Sequence, residues 1–200
     1  MPAISLRAIT PTAAAVLVVT GCAQGVVNTG EWATFPTSAA PVAPELPPVD
    51  TAHLANAFDY AVANANDQAA YFFTTPSGRW QCAILPRDKA GCQATAGGAL
   101  TVTGAPDTVT DAEGDEVPPN AIVVEADGEP HFAALDEPGF AAPKSAKVLP
   151  FDRTLIAARF RCNIQEATGV SCASEQSGAG FTFSGDEFSP QYTEVALDAP

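Results

Sequence analysis

Four cysteines constrain this 200-residue chain more than any other feature. Cys82 and Cys92 stand ten positions apart, and so do Cys162 and Cys172. Their flanks match too. Arg79-Trp80-Gln81-Cys82-Ala83-Ile84 and Arg159-Phe160-Arg161-Cys162-Asn163-Ile164 share the order Arg, aromatic, polar, Cys, any residue, Ile, eighty positions apart. A glycine lies just upstream of each second cysteine, at Gly91 and Gly169. Four cysteines allow three pairings. Turn-forming residues fill each interval, from Pro86 to Gly91 and from Glu166 to Gly169, so the flanking strands run antiparallel and facing residues come close enough to bridge. We therefore expect Cys82–Cys92 and Cys162–Cys172, each stapling one hairpin. The repeat has two open explanations: duplication of a half-domain, or convergence on the turn that any stapled hairpin needs.

The chain around these hairpins reads as strands. Residues 71–74 are aromatic and β-prone, Pro76-Ser77-Gly78 makes a turn, and residues 79–85 alternate. Shorter candidates lie at 100–103, 121–125 and 131–135, between Gly- and Pro-rich punctuation. A strong strand is expected over 154–164, with a return at 169–173 and a closing strand at 180–184. Residues after Tyr192 read as frayed. One helix is expected after Asp50 or Thr51, which can cap it. Leu54, Phe58, Ala61, Val62 and Ala65 recur there at helical spacing. Asn56, Asn64 and Asn66 weaken it and place its end near Asp67. Its Leu54–Phe58–Val62 stripe reads as core, and His53 as solvated or capping. The expected fold class is mainly β (α+β): a small disulfide-stapled antiparallel domain over 50–200, with two related halves as one reading of the repeat and one N-terminal helix.

The N-terminus carries a different message. A lone basic residue, Arg7, precedes the apolar run Ala13-Ala14-Ala15-Val16-Leu17-Val18-Val19. The run falls short of the roughly 20 apolar residues that cross a bilayer and reads as a secretory signal. Its ending, Val19-Thr20-Gly21-Cys22, resembles the bacterial lipobox, in which the cysteine is lipidated and becomes the new N-terminus. That resemblance implies a signal peptide over 1–21, lipidation of Cys22, and residence at the cell membrane on its extracytoplasmic face, with the membrane as a partner through the lipid. Two acyl chains are about what stable anchoring requires. The fifth cysteine is then accounted for, and the remaining four suit an oxidising compartment. Residues 22–49, with Pro36, Pro41, Pro44, Pro47 and Pro48, read as an extended linker.

Charge excludes some partners. The chain carries −14, and loss of residues 1–21 removes only Arg7 from the charged set, leaving −15. Such a chain is repelled by nucleic acid and by anionic head groups, so no nucleic-acid partner is expected. Between Ala90 and Pro143 there is no Lys or Arg, while Asp107, Asp111, Glu113, Asp115, Glu116, Glu125, Asp127, Glu129, Asp136 and Glu137 all occur. Asp111, Glu113 and Asp115 have the spacing that opens a calcium loop. Yet glycine comes at the fourth position (Gly114) rather than the sixth, and the twelfth is Ile122. An acidic solubilising loop is the reading, with no metal ligands assigned.

Catalytic signatures are missing from the sequence. No Gly-x-Ser-x-Gly occurs. His53 and His131 are the only histidines, too few for a zinc set built on cysteines better explained as disulfides. No glycine-rich phosphate loop with lysine is present, and carboxylate pairs mean little among 23 acids. We expect no catalytic residues, no cofactor and no enzymatic activity.

Phe73-Thr74-Thr75-Pro76-Ser77-Gly78-Arg79-Trp80-Gln81-Cys82 with Cys92, and Gly169-Val170-Ser171-Cys172 followed by Gly178-Ala179-Gly180-Phe181, carry a broader resemblance. They are similar to exported and lipid-anchored envelope proteins of mycobacteria, corynebacteria and their relatives. The resemblance implies location and fold and brings no established activity. The expected function is therefore a cell-envelope lipoprotein that acts as a non-enzymatic binding or interaction module toward an unknown envelope partner. The competing classes are an envelope hydrolase using surface carboxylates and a structural spacer.

Overall fold

The computed structural model describes residues 45–63, 69–136, 139–141, 143–144 and 146–199. Its first sheet holds β1 (Ala61–Ala63), β2 (Ala69–Thr74), β3 (Trp80–Leu85), β4 (Lys89–Ala94), β7 (Ala121–Glu125) and β8 (His131–Ala133), neighbours in that order. Between β4 and β7 a two-stranded ribbon forms from β5 (Val109–Thr110) and β6 (Glu116–Val117). β9 (Lys147–Val148) lies parallel to the end of β2. The second sheet runs in chain order: β10 (Arg153–Ala157), β11 (Phe160–Gln165), β12 (Gly169–Ser174), β13 (Gly180–Phe183) and β14 (Phe188–Ser189). The protein is mainly β, antiparallel and stapled by two disulfides, as the sequence leads one to expect.

The two sheets repeat one meander. β2-β3-β4-β7-β8 corresponds to β10-β11-β12-β13-β14, and the central hairpins match residue for residue. Cys82 faces Cys92 as Cys162 faces Cys172, Trp80 faces Ala94 as Phe160 faces Ser174, and Leu85 faces Lys89 as Gln165 faces Gly169. Even the hydrogen bond past the hairpin recurs: Thr95 N–H donates to the Arg79 carbonyl at 2.9 Å, and Glu175 N–H to the Arg159 carbonyl at 2.8 Å. Connection length differs, with residues 95–120 in the first half where the second has 175–179.

Each meander is also edged by the segment that leads into the other. β9 precedes β10 but pairs with β2, and Leu149 N–H donates to the Thr74 carbonyl at 3.0 Å. In return, Leu54 forms a parallel bridge with Thr154 of β10, and Ala55 N–H donates to the Thr154 carbonyl at 2.9 Å. An open strand edge invites pairing with another chain. Here the two halves cover part of each other's edges.

Strand alternation puts the apolar residues between the sheets. Phe73, Trp80, Ile84, Ile122 and Val124 from the first sheet share a core with Leu155, Phe160, Ile164, Phe181 and Phe183 from the second. The Trp80 and Phe183 rings meet edge to face at 4.9 Å. Both disulfides lie inside this core, with Cα–Cα distances of 4.0 Å and 4.1 Å, the close pairing of an antiparallel ladder. Each short closed loop stabilises by roughly 2–3 kcal/mol in the chain-entropy model. On the outer face of the first sheet a smaller cluster joins Ala83, Ala121, Val123 and Phe140. Gly91 permits it: a Cβ there would lie 2.7 Å from the Phe140 ring and 2.2 Å from the Ile122 carbonyl oxygen.

Four local expectations are corrected. The N-terminal helix is replaced by two 3-10 turns, Thr51–His53 and Ala57–Tyr60, followed by strand β1. Asp50 caps the first, and the Asn56 side chain caps the second by accepting from Phe58 N–H, so a residue inside the expected helix starts a new turn instead. The apolar stripe consequently faces out, with Leu54 40% and Phe58 86% exposed, while Tyr60 and His53 are buried. Burial of His53 brings its Nδ1 to 2.9 Å from the Asp152 carbonyl oxygen. The single strand expected over 154–164 is two strands, broken at Ala158-Arg159. Residues 100–103 form no strand, although Leu100 and Val102 are buried in the core.

The fourth correction concerns the C-terminal segment, which is docked rather than frayed. Asn163 Nδ2 donates to Tyr192 Oη and to the Thr193 carbonyl, Thr182 Oγ1 donates to the Gln191 carbonyl, and Val195 is buried.

Candidate functional site: a two-arginine cleft

The cysteines named from the sequence are structural, with Cys82, Cys92, Cys162 and Cys172 all at zero exposure. Cys22, the lipidation candidate, lies outside the described residues. In the acidic stretch, Asp111 Oδ1 accepts from the backbone N–H of Glu113 at 3.1 Å and of Asp115 at 2.8 Å, closing the turn of the ribbon around Gly114. Thr110 and Thr108 hydroxyls donate to Glu116 and lower its pKa. These carboxylates serve the turn that carries them. Among the described residues, no three His, Cys, Asp or Glu side chains gather where they could hold a metal.

The outer face of the second sheet carries a dense polar network. Arg161, 9% exposed, donates to Glu175 at 2.9 Å, to Glu194 at 3.1 Å and to the Pro47 carbonyl at 2.7 Å. Its guanidinium also lies 5.9 Å from the Tyr192 ring centre. Burial pushes the Tyr192 hydroxyl pKa up, and the nearby Glu194 carboxylate adds to it. Two acids and a carbonyl take four of the five N–H donors of one guanidinium, so this cluster clamps residues 47 and 192–194 onto the sheet.

The remaining cations divide into held and unheld. Lys147 pairs with Asp59 at 2.9 Å, Lys89 approaches Asp88 at 3.8 Å, Arg153 donates to the Ala52 carbonyl, and Arg79 lies 5.8 Å from the Trp80 ring centre. Arg87, Arg159 and the exposed Lys144 have no ion pair or side-chain hydrogen bond among the described residues. Arg87 and Arg159 line the same cleft, of about 410 Å3, together with Ala69, Pro86 and Ala158. No described carboxylate lines it. In a chain this acidic, two arginines on one cavity with no acidic partner among the described residues stand out.

Backbone geometry brings them there. Asp88 N–H donates to the Leu85 carbonyl at 3.2 Å, closing a tight turn with Pro86 second and Arg87 third. Arg87 has φ 64°, at a turn position that favours Gly or Asn. Between β10 and β11 the whole connection is Ala158-Arg159, with φ 49° and 67°. Left-handed geometry at both central residues is the type I′ hairpin turn, for which Asn-Gly is preferred. A residue with a Cβ costs on the order of 1–2 kcal/mol in this conformation. Three of the five lining residues therefore occupy backbone positions better suited to other side chains.

Sequence reading missed Arg159 as a site residue because Ala158-Arg159 contains none of the residues that signal a turn. One signal was available. Arg159-Phe160 repeats Arg79-Trp80, which follows Pro76-Ser77-Gly78, so equivalence of the two halves calls for a turn just before Phe160. No family model, no curated protein and no solved structure matches this chain.

Proposed function

We propose that this chain is a cell-envelope lipoprotein of the actinobacterial kind, anchored through lipid on Cys22 at the extracytoplasmic face of the membrane, and that its β domain serves as a non-enzymatic binding or interaction module. The supporting observation is the state of the cysteines. All four in the domain are paired and buried, which suits an oxidising compartment, and Cys22 alone is left over at the lipobox-like Val19-Thr20-Gly21-Cys22. Among the described residues no helix is long and apolar enough to cross a membrane.

The interaction role has its own support. Leu54, Phe58, Val148 and Phe151 are exposed. They sit on two segments tied together by the Leu54–Thr154 bridge, the Lys147–Asp59 ion pair and the Tyr60 Oη bond to the Val148 carbonyl. Exposed apolar side chains grouped on adjoining segments are a feature of interaction surfaces. Replacing Cys22 with Ser tests the anchor. The variant should move from the carbonate-washed membrane fraction to the soluble exported fraction, and wild-type recovery in membranes would overturn the lipoprotein reading.

A further inference from the structure

We propose that the cleft between Arg87 and Arg159 is an anion-binding site that takes one carboxylate or phosphate group of a small ligand. The proposal deepens the binding-module reading, and its test does not depend on the anchor. Two observations and one chemical match carry it. Arg87 and Arg159 converge on one cavity from different hairpins, one in each meander, and neither is neutralised by a described acid. Guanidinium groups present planar forks of donors that match the oxygens of carboxylate and phosphate. Both arginines also stand at positive φ, where glycine or asparagine would be less strained. Non-glycine residues held in such conformations cluster at ligand clamps.

Charge sets the size of the ligand. With −14 on the whole chain, a polyanion or a densely anionic surface meets net repulsion from the protein. A single oxyanion reaching in meets the two arginines and, among the described lining residues, no carboxylate. Ala69, Pro86 and Ala158 supply short apolar walls, which suit a ligand with a compact apolar body beside its charged group. No bond is made or broken in this proposal; the cleft binds.

The test is a titration of the full-length 15N-labelled protein in detergent micelles, at physiological salt, with phenyl phosphate, benzoate and inorganic phosphate in separate arms. Saturable shifts should appear in the Arg87 and Arg159 Nε–H signals and in the backbone amides of Arg87, Ala158 and Arg159. Arg87→Gln and Arg159→Gln should each weaken binding roughly tenfold, as expected for loss of one charge-assisted hydrogen bond. The double variant should abolish it, and Arg79→Gln, outside the cleft, should leave it unchanged. Arg159→Gly serves as a variant whose backbone suits the turn, so its loss of binding cannot be ascribed to misfolding. A further arm, flotation of the Cys22→Ser protein and of its double-arginine variant with phosphatidylglycerol vesicles, separates the sources without the lipid anchor. Flotation lost in the double variant assigns the group to a lipid head group, whereas binding of soluble anions without flotation assigns it to a free ligand. Shifts that fail to saturate in every arm, or that Arg79→Gln reduces as much as Arg159→Gln, would overturn the proposal. Loss of the site would leave the Cys22 fractionation result untouched, so the two readings fail separately.

Discussion

Replacing Ala158-Arg159 with Asn-Gly should make the protein more stable. The two residues form the complete connection between β10 and β11, with φ 49° and 67°. Left-handed backbone costs an ordinary L-residue on the order of 1–2 kcal/mol. Glycine at 159 removes that cost but adds about 0.5–1 kcal/mol of unfolded-state entropy, for a net gain of roughly 0.5–1 kcal/mol. Asparagine, which tolerates the left-handed region, recovers a similar amount at 158. Because the residues are adjacent the gains need not add, so about 1–2 kcal/mol is the expected total. Guanidinium denaturation of the oxidised protein should show a higher midpoint with an unchanged slope. For a domain of this size the rise in Tm should be roughly 2–8 °C. A stability gain coupled to loss of oxyanion binding would be the trade-off expected where strain is retained for function. A lower midpoint would refute the reasoning, because it would mean that Ala158 and Arg159 stabilise the turn and carry no strain.

Three other perturbations probe other parts of the molecule. Gly91→Ala places a Cβ 2.2 Å from the Ile122 carbonyl oxygen and 2.7 Å from the Phe140 ring. It should cost about 2–3 kcal/mol by overpacking, and a loss below about 0.5 kcal/mol in chemical denaturation would show that Phe140 does not sit on the sheet. Arg161→Met leaves Glu194 and Glu175 without their shared cation. A destabilisation of about 3 kcal/mol and faster amide exchange over 192–195 should follow, with unchanged exchange counting against the clamp. In an NMR titration the Glu116 carboxyl should have its midpoint below the ordinary glutamate value, since Thr110 and Thr108 donate to its charged form. A lowered folded pKa means that this contribution to the ribbon is complete above the ordinary value and is lost as pH falls through the lowered one. Changing both threonines to valine should restore the ordinary midpoint.

What could be read from the sequence follows the range of the interactions involved. Each disulfide joins residues ten apart across one turn, so spacing and local turn residues were enough to pair them. The eighty-residue repeat likewise foretold two hairpins of identical register. Asn56 is the one local hint against helix core at Leu54 and Phe58, since its side chain caps Phe58 N–H and starts a new turn. Their fate is set by Thr154, a hundred positions later, whose carbonyl takes the Ala55 N–H and holds the segment as the edge of the other half's sheet. The docked C-terminus is legible only from the far side as well. Thr193 and Glu194 look like solvated polar residues until Asn163 and Arg161 are seen to face outward on β11 with no water-exposed alternative. The cleft is the most instructive case. Arg87 sits in a turn that announces itself through Pro86, while Arg159 sits in one that propensity argues against, and the site exists only because the second turn forms regardless. The force behind it is the paired Phe160-Arg161-Cys162 ladder on one side and Leu155-Ile156-Ala157 on the other. Buried apolar residues on both strands fix the register and leave two residues to reverse the chain. Tertiary packing therefore overrules local preference at Ala158-Arg159, and the positive-φ residues fall on the cleft that Arg87 and Arg159 line.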